Sequence, residues 1–90
     1  MSLTAVKIKI MPISPETSIK EIKEFVDSAL KEEGAKNPQF EIQPIAFGLN
    51  ALIVLFGWPE EKELESLEIE LSEIEGVGSV QIIDIRRAIG

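Results

Sequence analysis

The side chains able to do chemistry in this chain are few in kind. Arg86 and Arg87 stand together near the C-terminus. Paired planar guanidinium groups suit recognition of carboxylate or phosphate. Their plainer role is that of solvated charges, with Asp84 close enough in sequence to pair with one of them. Carboxylates are plentiful, since eight glutamates lie between Glu60 and Glu75. Acid–base catalysis would need one of them at a raised pKa, and their spacing instead puts them on the polar side of a helix. There is no histidine and no cysteine. Ser–His and Cys–His nucleophiles are therefore excluded, as are disulfides and thiolate-ligated metals. What remains is chemistry of contact, in which cations and apolar anchors are offered to another molecule.

The charge distribution narrows the partner. The formal net charge is −7, and the Glu60–Glu75 stretch, with eight glutamates and Lys62, accounts for all of it. The rest of the chain is balanced, so no excess of cations is available to displace counterions from a nucleic-acid backbone. The acidic stretch reads first as a solvated helix face and second as a surface that steers a basic protein. With 44% hydrophobic and 28% charged residues the chain is too apolar for disorder. Ninety residues suit one domain spanning 1–90. No apolar run is long enough to span a membrane and no signal peptide is read, so a cytoplasmic protein is expected.

Six elements are expected to position these groups. Ala5 to Met11 alternates, with Val6, Ile8 and Ile10 on one face and Lys7 and Lys9 on the other; Pro12, Ser14 and Pro15 stop it. Ser18 and Glu21 form a capping box for a helix with the stripe Ile19, Ile22, Val26, Ala29 and Leu30, closed by Gly34. Phe40 and Ile42 mark a second strand, at an edge or a bulge because Pro44 lies near its end. Ala51 to Phe56 is an apolar run, either buried on both faces or half exposed to a partner, and Gly57, Trp58 and Pro59 should end it. Trp58 is expected to pack at the start of the second helix. That helix carries Leu64, Leu67, Leu71 and Ile74, with Glu60, Glu61 and Glu63 in its first turn and Gly76 closing it. Val80, Ile82, Ile83 and Ile85 form the last strand, whose alternation slips at Ile82–Ile83, as a bulge would cause.

The order β-α-β-β-α-β predicts an α+β, ferredoxin-like plait: an antiparallel four-stranded sheet with both helices on one face. The hairpin between the central elements reads Pro44-Ile45-Ala46-Phe47-Gly48-Leu49-Asn50, unusually apolar for a loop. Phe47 and Leu49 either tuck under the sheet edge or present an anchor to a partner. Fold alone assigns no role. An RNA-binding plait wants aromatic residues on its central strands, copper chaperones want cysteines, and an acyl-phosphate hydrolase wants an arginine in the turn that here reads Pro12-Ile13-Ser14-Pro15.

The chain resembles archaeal elongation factor 1-beta over nearly its whole length. The matching pieces are Val6-Lys7-Ile8-Lys9-Ile10-Met11-Pro12 with Ser14-Pro15, the hairpin Pro44-Ile45-Ala46-Phe47-Gly48-Leu49 with Ala51-Leu52, and Ile74-Glu75-Gly76-Val77 through Val80 to Asp84-Ile85-Arg86-Arg87. The resemblance implies guanine-nucleotide exchange on elongation factor 1-alpha, with no covalent chemistry, cofactor, metal site, nucleic acid or membrane of the chain's own. In eukaryotic relatives an aromatic residue of the hairpin loop contacts the GTPase near its nucleotide site, and a lysine just before the C-terminus disturbs the magnesium site. Phe47 matches the aromatic residue, with Gly48 as its hinge and Leu49 beside it. Arg87 is nearest to the lysine, with Arg86 as the alternative; an arginine stands where those relatives have lysine, and Ala88, Ile89 and Gly90 follow it. The competing expectation is a small-molecule-sensing plait that dimerises through its open sheet face, and RNA binding is a third.

Overall fold

The computed structural model describes residues 3–87; the tail Ala88 to Gly90 lies outside them. The elements run β1 (Leu3–Pro12), α1 (Ile19–Glu33), β2 (Lys36–Pro44), a single 3-10 turn (Ala46–Gly48), β3 (Asn50–Pro59), α2 (Leu64–Ser72) and β4 (Val77–Arg87). The sheet order is β2-β3-β1-β4 and every pairing is antiparallel. This is the ferredoxin-like plait.

Alternation assigns the faces. Val6, Ile8 and Ile10 of β1 stand opposite Phe56, Val54 and Leu52 of β3. These six side chains are buried against Ile22, Val26 and Leu30 of α1 and Leu67 and Leu71 of α2. Because apolar burial is the main favourable term in folding, this layer fixes which way each strand faces. The opposite face carries Lys7, Lys9, Ala51, Ile53 and Leu55 and no helix. Ile53 lies between Lys9 and Glu41 and is only 6% exposed, whereas Leu55 is 41% exposed. Long charged side chains can cover apolar neighbours with their stems, so this open face shows less apolar surface than its sequence suggests.

Local chemistry explains the ends of α1. The Glu21 N–H donates to Ser18 Oγ at 3.3 Å, the cap expected of Ser18. Gly34 takes φ 88° just beyond the helix, and the Ala35 N–H reaches back to the Leu30 carbonyl at 2.9 Å.

Several boundaries differ from the sequence reading. Pro12 belongs to β1 rather than ending it before that point. Gly57 and Trp58 do not end β3 but continue it to Pro59, because Gly57 pairs with both Ala5 and Lys36 and Trp58 pairs with Thr4. Trp58 is therefore a core residue at a strand end, 3% exposed and edge-on to Phe56 with ring centroids 6.0 Å apart. The longer β3 delays α2: Glu60 and Glu61 fall in the preceding turn, Glu63 sits at the N-cap position, and Glu65 is the acidic residue of the first turn. At the other end α2 stops at Ser72, so Gly76 does not close it. With φ 93°, Gly76 instead turns the chain into β4.

The slip in β4 is a bulge. Lys7 pairs with Asp84 and Ile8 with Ile82, leaving Ile83 as the extra residue. Without the bulge, in unbroken register, Asp84 would stand opposite Val6 in the core layer. With it Asp84 faces Lys7 on the open side and Ile85 takes the rung of Val6.

Candidate functional site

The hairpin between β2 and β3 closes its ladder at the Pro44–Asn50 rung. Beyond it the Ile45 N–H donates to the Leu49 carbonyl at 2.7 Å. Reversal in so short a span requires two consecutive left-handed residues, Phe47 at φ 66° and Gly48 at φ 76°. Glycine takes that conformation freely. For phenylalanine it costs about 1–2 kcal/mol. Phe47 is 92% exposed, so no packing among the described residues offsets that cost. Leu49 turns inward and is half-buried. The choice left open for this loop thus divides by residue: Leu49 tucks in and Phe47 points out.

Arg86 and Arg87 lie at the opposite end of the sheet, on the rungs of Ala5 and Thr4. As consecutive strand residues they point to different faces, and the bulge at Ile83 decides which takes which. Arg86 falls on the open face, where its Nε meets Asp84 Oδ2 at 3.0 Å. Arg87 shares a rung with Thr4, itself paired with Trp58 on the helix-bearing side, and its guanidinium lies 3.4 Å from Glu60 Oε1. Both guanidinium groups remain largely exposed, so these ion pairs hold them loosely.

The fold therefore brings Phe47, Gly48 and Leu49 together, and Arg86 and Arg87 together, but keeps the two groups apart. From the Trp58 rung to the Asn50 rung is eight residues of β3, about 26 Å at ~3.3 Å per residue. Among the described residues no three acidic, histidine or cysteine side chains are grouped to hold a metal ion. No helix among them is long and apolar enough to cross a membrane.

Two neighbours of the hairpin end were not singled out from sequence. Ile13 is 68% exposed and Phe25 57%. An isoleucine inside the proline-rich turn Pro12 to Pro15 was the available signal for the first. A phenylalanine at the margin of the α1 stripe was the signal for the second. A Cβ placed on Gly48 would lie 3.8 Å from that of Pro15, so the hairpin tip and this turn adjoin.

Residues 5–88 match the model of the EF-1 guanine nucleotide exchange domain. The chain belongs to that family. The match to the EF-1 guanine nucleotide exchange domain takes in both ends of the sheet just described. Relatives named elongation factor 1-beta agree over full length. The one from Thermofilum pendens is 35% identical over 92 residues, covering 100% of each chain. Those from Methanosarcina barkeri and Metallosphaera sedula are 39% and 37% identical, covering 97% of this chain and 99% and 97% of theirs. In fold, this EF-1 guanine nucleotide exchange domain is similar to the solution structure of the C-terminal domain of the MgtC protein from Mycobacterium tuberculosis. The TM-score is 0.70 over 96% of this chain and 88% of that one, at 15% identity, a likeness of fold alone.

Proposed function

We propose that residues 1–90 act as one exchange domain in the cytoplasm, binding elongation factor 1-alpha and speeding its release of GDP without covalent chemistry. The observation that carries this reading is Phe47, an aromatic ring 92% exposed on a backbone at φ 66°. A residue that gains nothing from packing and costs backbone strain is best explained by what it touches outside the chain. Family membership supplies the class of partner.

An exchange factor must bind the nucleotide-free GTPase more tightly than the nucleotide-bound form, since equal affinity for both shifts nothing. Linkage then requires GDP to weaken the factor's binding by the same ratio. An apolar anchor together with a cation that competes for the magnesium site would provide that difference. In this proposal Phe47 is the anchor, Gly48 its hinge, Leu49 its buttress, and Arg87 the cation, with Arg86 in reserve. The ~26 Å between the two groups means that a single small pocket does not take both, so the partner is gripped at two places.

No specific observation favours self-association through the open face, where Ala51 and Ile53 are already buried. The net charge of −7 disfavours nucleic acid.

The test is release of fluorescent GDP from purified elongation factor 1-alpha of the same organism, with and without this protein. Saturable acceleration that Phe47→Ala abolishes supports the proposal. An unchanged rate with both proteins folded and magnesium varied overturns it.

A further inference from the structure

Between the first turns of α1 and the α2–β4 connection lies a cleft of about 540 Å³. Ile13 and Phe25 present their apolar surfaces there, and nothing among the described residues covers them. Around them stand Glu21, Glu24 and Glu75, and no lysine or arginine lines the cleft. Lys23 of α1 is turned toward the Phe40 ring, 5.4 Å from its centroid.

The walls are held in place before any ligand arrives. The Ile13 N–H donates to the Gly76 carbonyl at 2.9 Å, tying the β1–α1 turn to the α2–β4 turn. Ser14 Oγ and Thr17 Oγ1 lie 3.3 Å apart across the base of the same turn. Gly76 forms part of the floor, and a Cβ there would come within 2.8 Å of Thr17 Cγ2. Walls fixed in this way reduce the ordering cost of binding.

We infer that this cleft receives an apolar side chain flanked by a lysine or arginine, offered by the same GTPase that Phe47 is proposed to engage. The inference rests on that functional reading and extends it to a third point of contact. An apolar group alone would take three carboxylates out of water with no partner, which is costly. A cation beside it offsets that cost. An anionic ligand, including a nucleic-acid backbone, would be repelled. Gly48 of the hairpin tip approaches Pro15, in the same turn as Ile13 and Thr17 of the cleft, so a partner surface that engages the tip can extend to the cleft.

The test compares wild type, Phe25→Ala, and the double charge reversal Glu24→Lys with Glu75→Lys in the GDP-release assay at low and moderate salt. Thermal melts of each protein accompany the assay. The half-maximal concentration should rise about tenfold or more in each variant, with unchanged melts. The charge-reversed protein should also lose most of the salt dependence. Should Phe25→Ala melt early, the charge reversal, placed on exposed side chains, decides alone. Half-maximal concentrations within about twofold of wild type overturn the cleft as a contact and leave the exchange reading standing. A wild-type protein that neither binds nor accelerates the GTPase overturns both.

Discussion

Trp58 and Lys62 hold each other: the indole N–H donates to the Lys62 carbonyl at 3.1 Å, while the Lys62 ammonium stands 4.9 Å from the centroid of the indole ring. The same ammonium reaches the Glu33 carbonyl at the end of α1 and the Glu33 carboxylate at 3.4 Å. Lys62 is the one cation in the Glu60–Glu75 stretch, and it joins the end of β3, the turn before α2 and the C-terminus of α1. Lys62→Met keeps most of the stem and removes the charge. It should lower stability by about 1 kcal/mol, read in urea unfolding followed by the fluorescence of the only tryptophan.

At the hairpin tip, strain and function make opposite demands on one position. Phe47→Gly removes a left-handed phenylalanine and leaves a residue suited to φ 66°. Folding stability should not fall, and should rise by up to about 1 kcal/mol after the added freedom of glycine in the unfolded chain is counted. GDP release from elongation factor 1-alpha should slow nonetheless. A variant that melts lower than wild type would show instead that the ring supports the fold.

The two arginines should separate in effect. Arg86→Ala removes a side chain held by Asp84 on the open face, and Arg87→Ala one held by Glu60 on the helix-bearing face. Neither should shift the thermal midpoint measurably, since exposed ion pairs contribute ~0–1 kcal/mol. Exchange should fall more for Arg87→Ala, and Arg87→Lys should retain activity. Equal losses for Arg86→Ala and Arg87→Ala would point to general positive charge rather than one placed cation.

Glu70 predicts a pH signature. Partial burial raises its pKa above the ordinary 4.5, and the hydrogen-bonded carboxyl of Glu33 and the charges of Glu33, Glu32 and Glu73 add to the effect. A carboxyl with a raised folded pKa binds its proton more tightly in the folded state. Stability therefore falls as pH rises from 4.5 through the folded pKa, and the penalty is fully present above it. Glu70→Gln should raise stability near neutral pH and flatten that part of the pH–stability curve. A curve parallel to wild type would show that the two helices do not feel this repulsion.

Much of the fold was legible because alternation and helical spacing are local signals. The faces of Val6, Ile8 and Ile10, the Ser18 cap, the Gly34 stop and the slip at Ile82–Ile83 were all visible in this way. The extent of β3 was not. Gly57 and Pro59 read as breakers, but Gly57 pairs with Ala5 and Lys36 on two sides, and ladder bonds from two neighbours outweigh a weak local preference. The run Ala51 to Phe56 left burial on both faces and half exposure open, and the choice differs by residue, Ile53 being covered and Leu55 exposed, because the cover comes from residues distant in sequence. At the candidate site, the apolar loop was visible, but the left-handed backbone of Phe47 was not, because sequence assigns that conformation to Gly48 alone. Nor did spacing along the chain reveal that the arginines end some 26 Å from the hairpin. Strand order settles that, and it appears only once β1 lies between β3 and β4.

Ile83 acts on the last strand as a frameshift acts on a message. Every residue after it is read out on the face opposite to the one its number would predict, so Asp84, Ile85, Arg86 and Arg87 owe their sides to a single inserted unit. A relative of the same length that kept the Arg-Arg pair but ran this strand in unbroken register would align perfectly by letter and carry the two guanidinium groups on exchanged faces. For this strand, correspondence between relatives should be counted from the bulge outward rather than from either end of the chain.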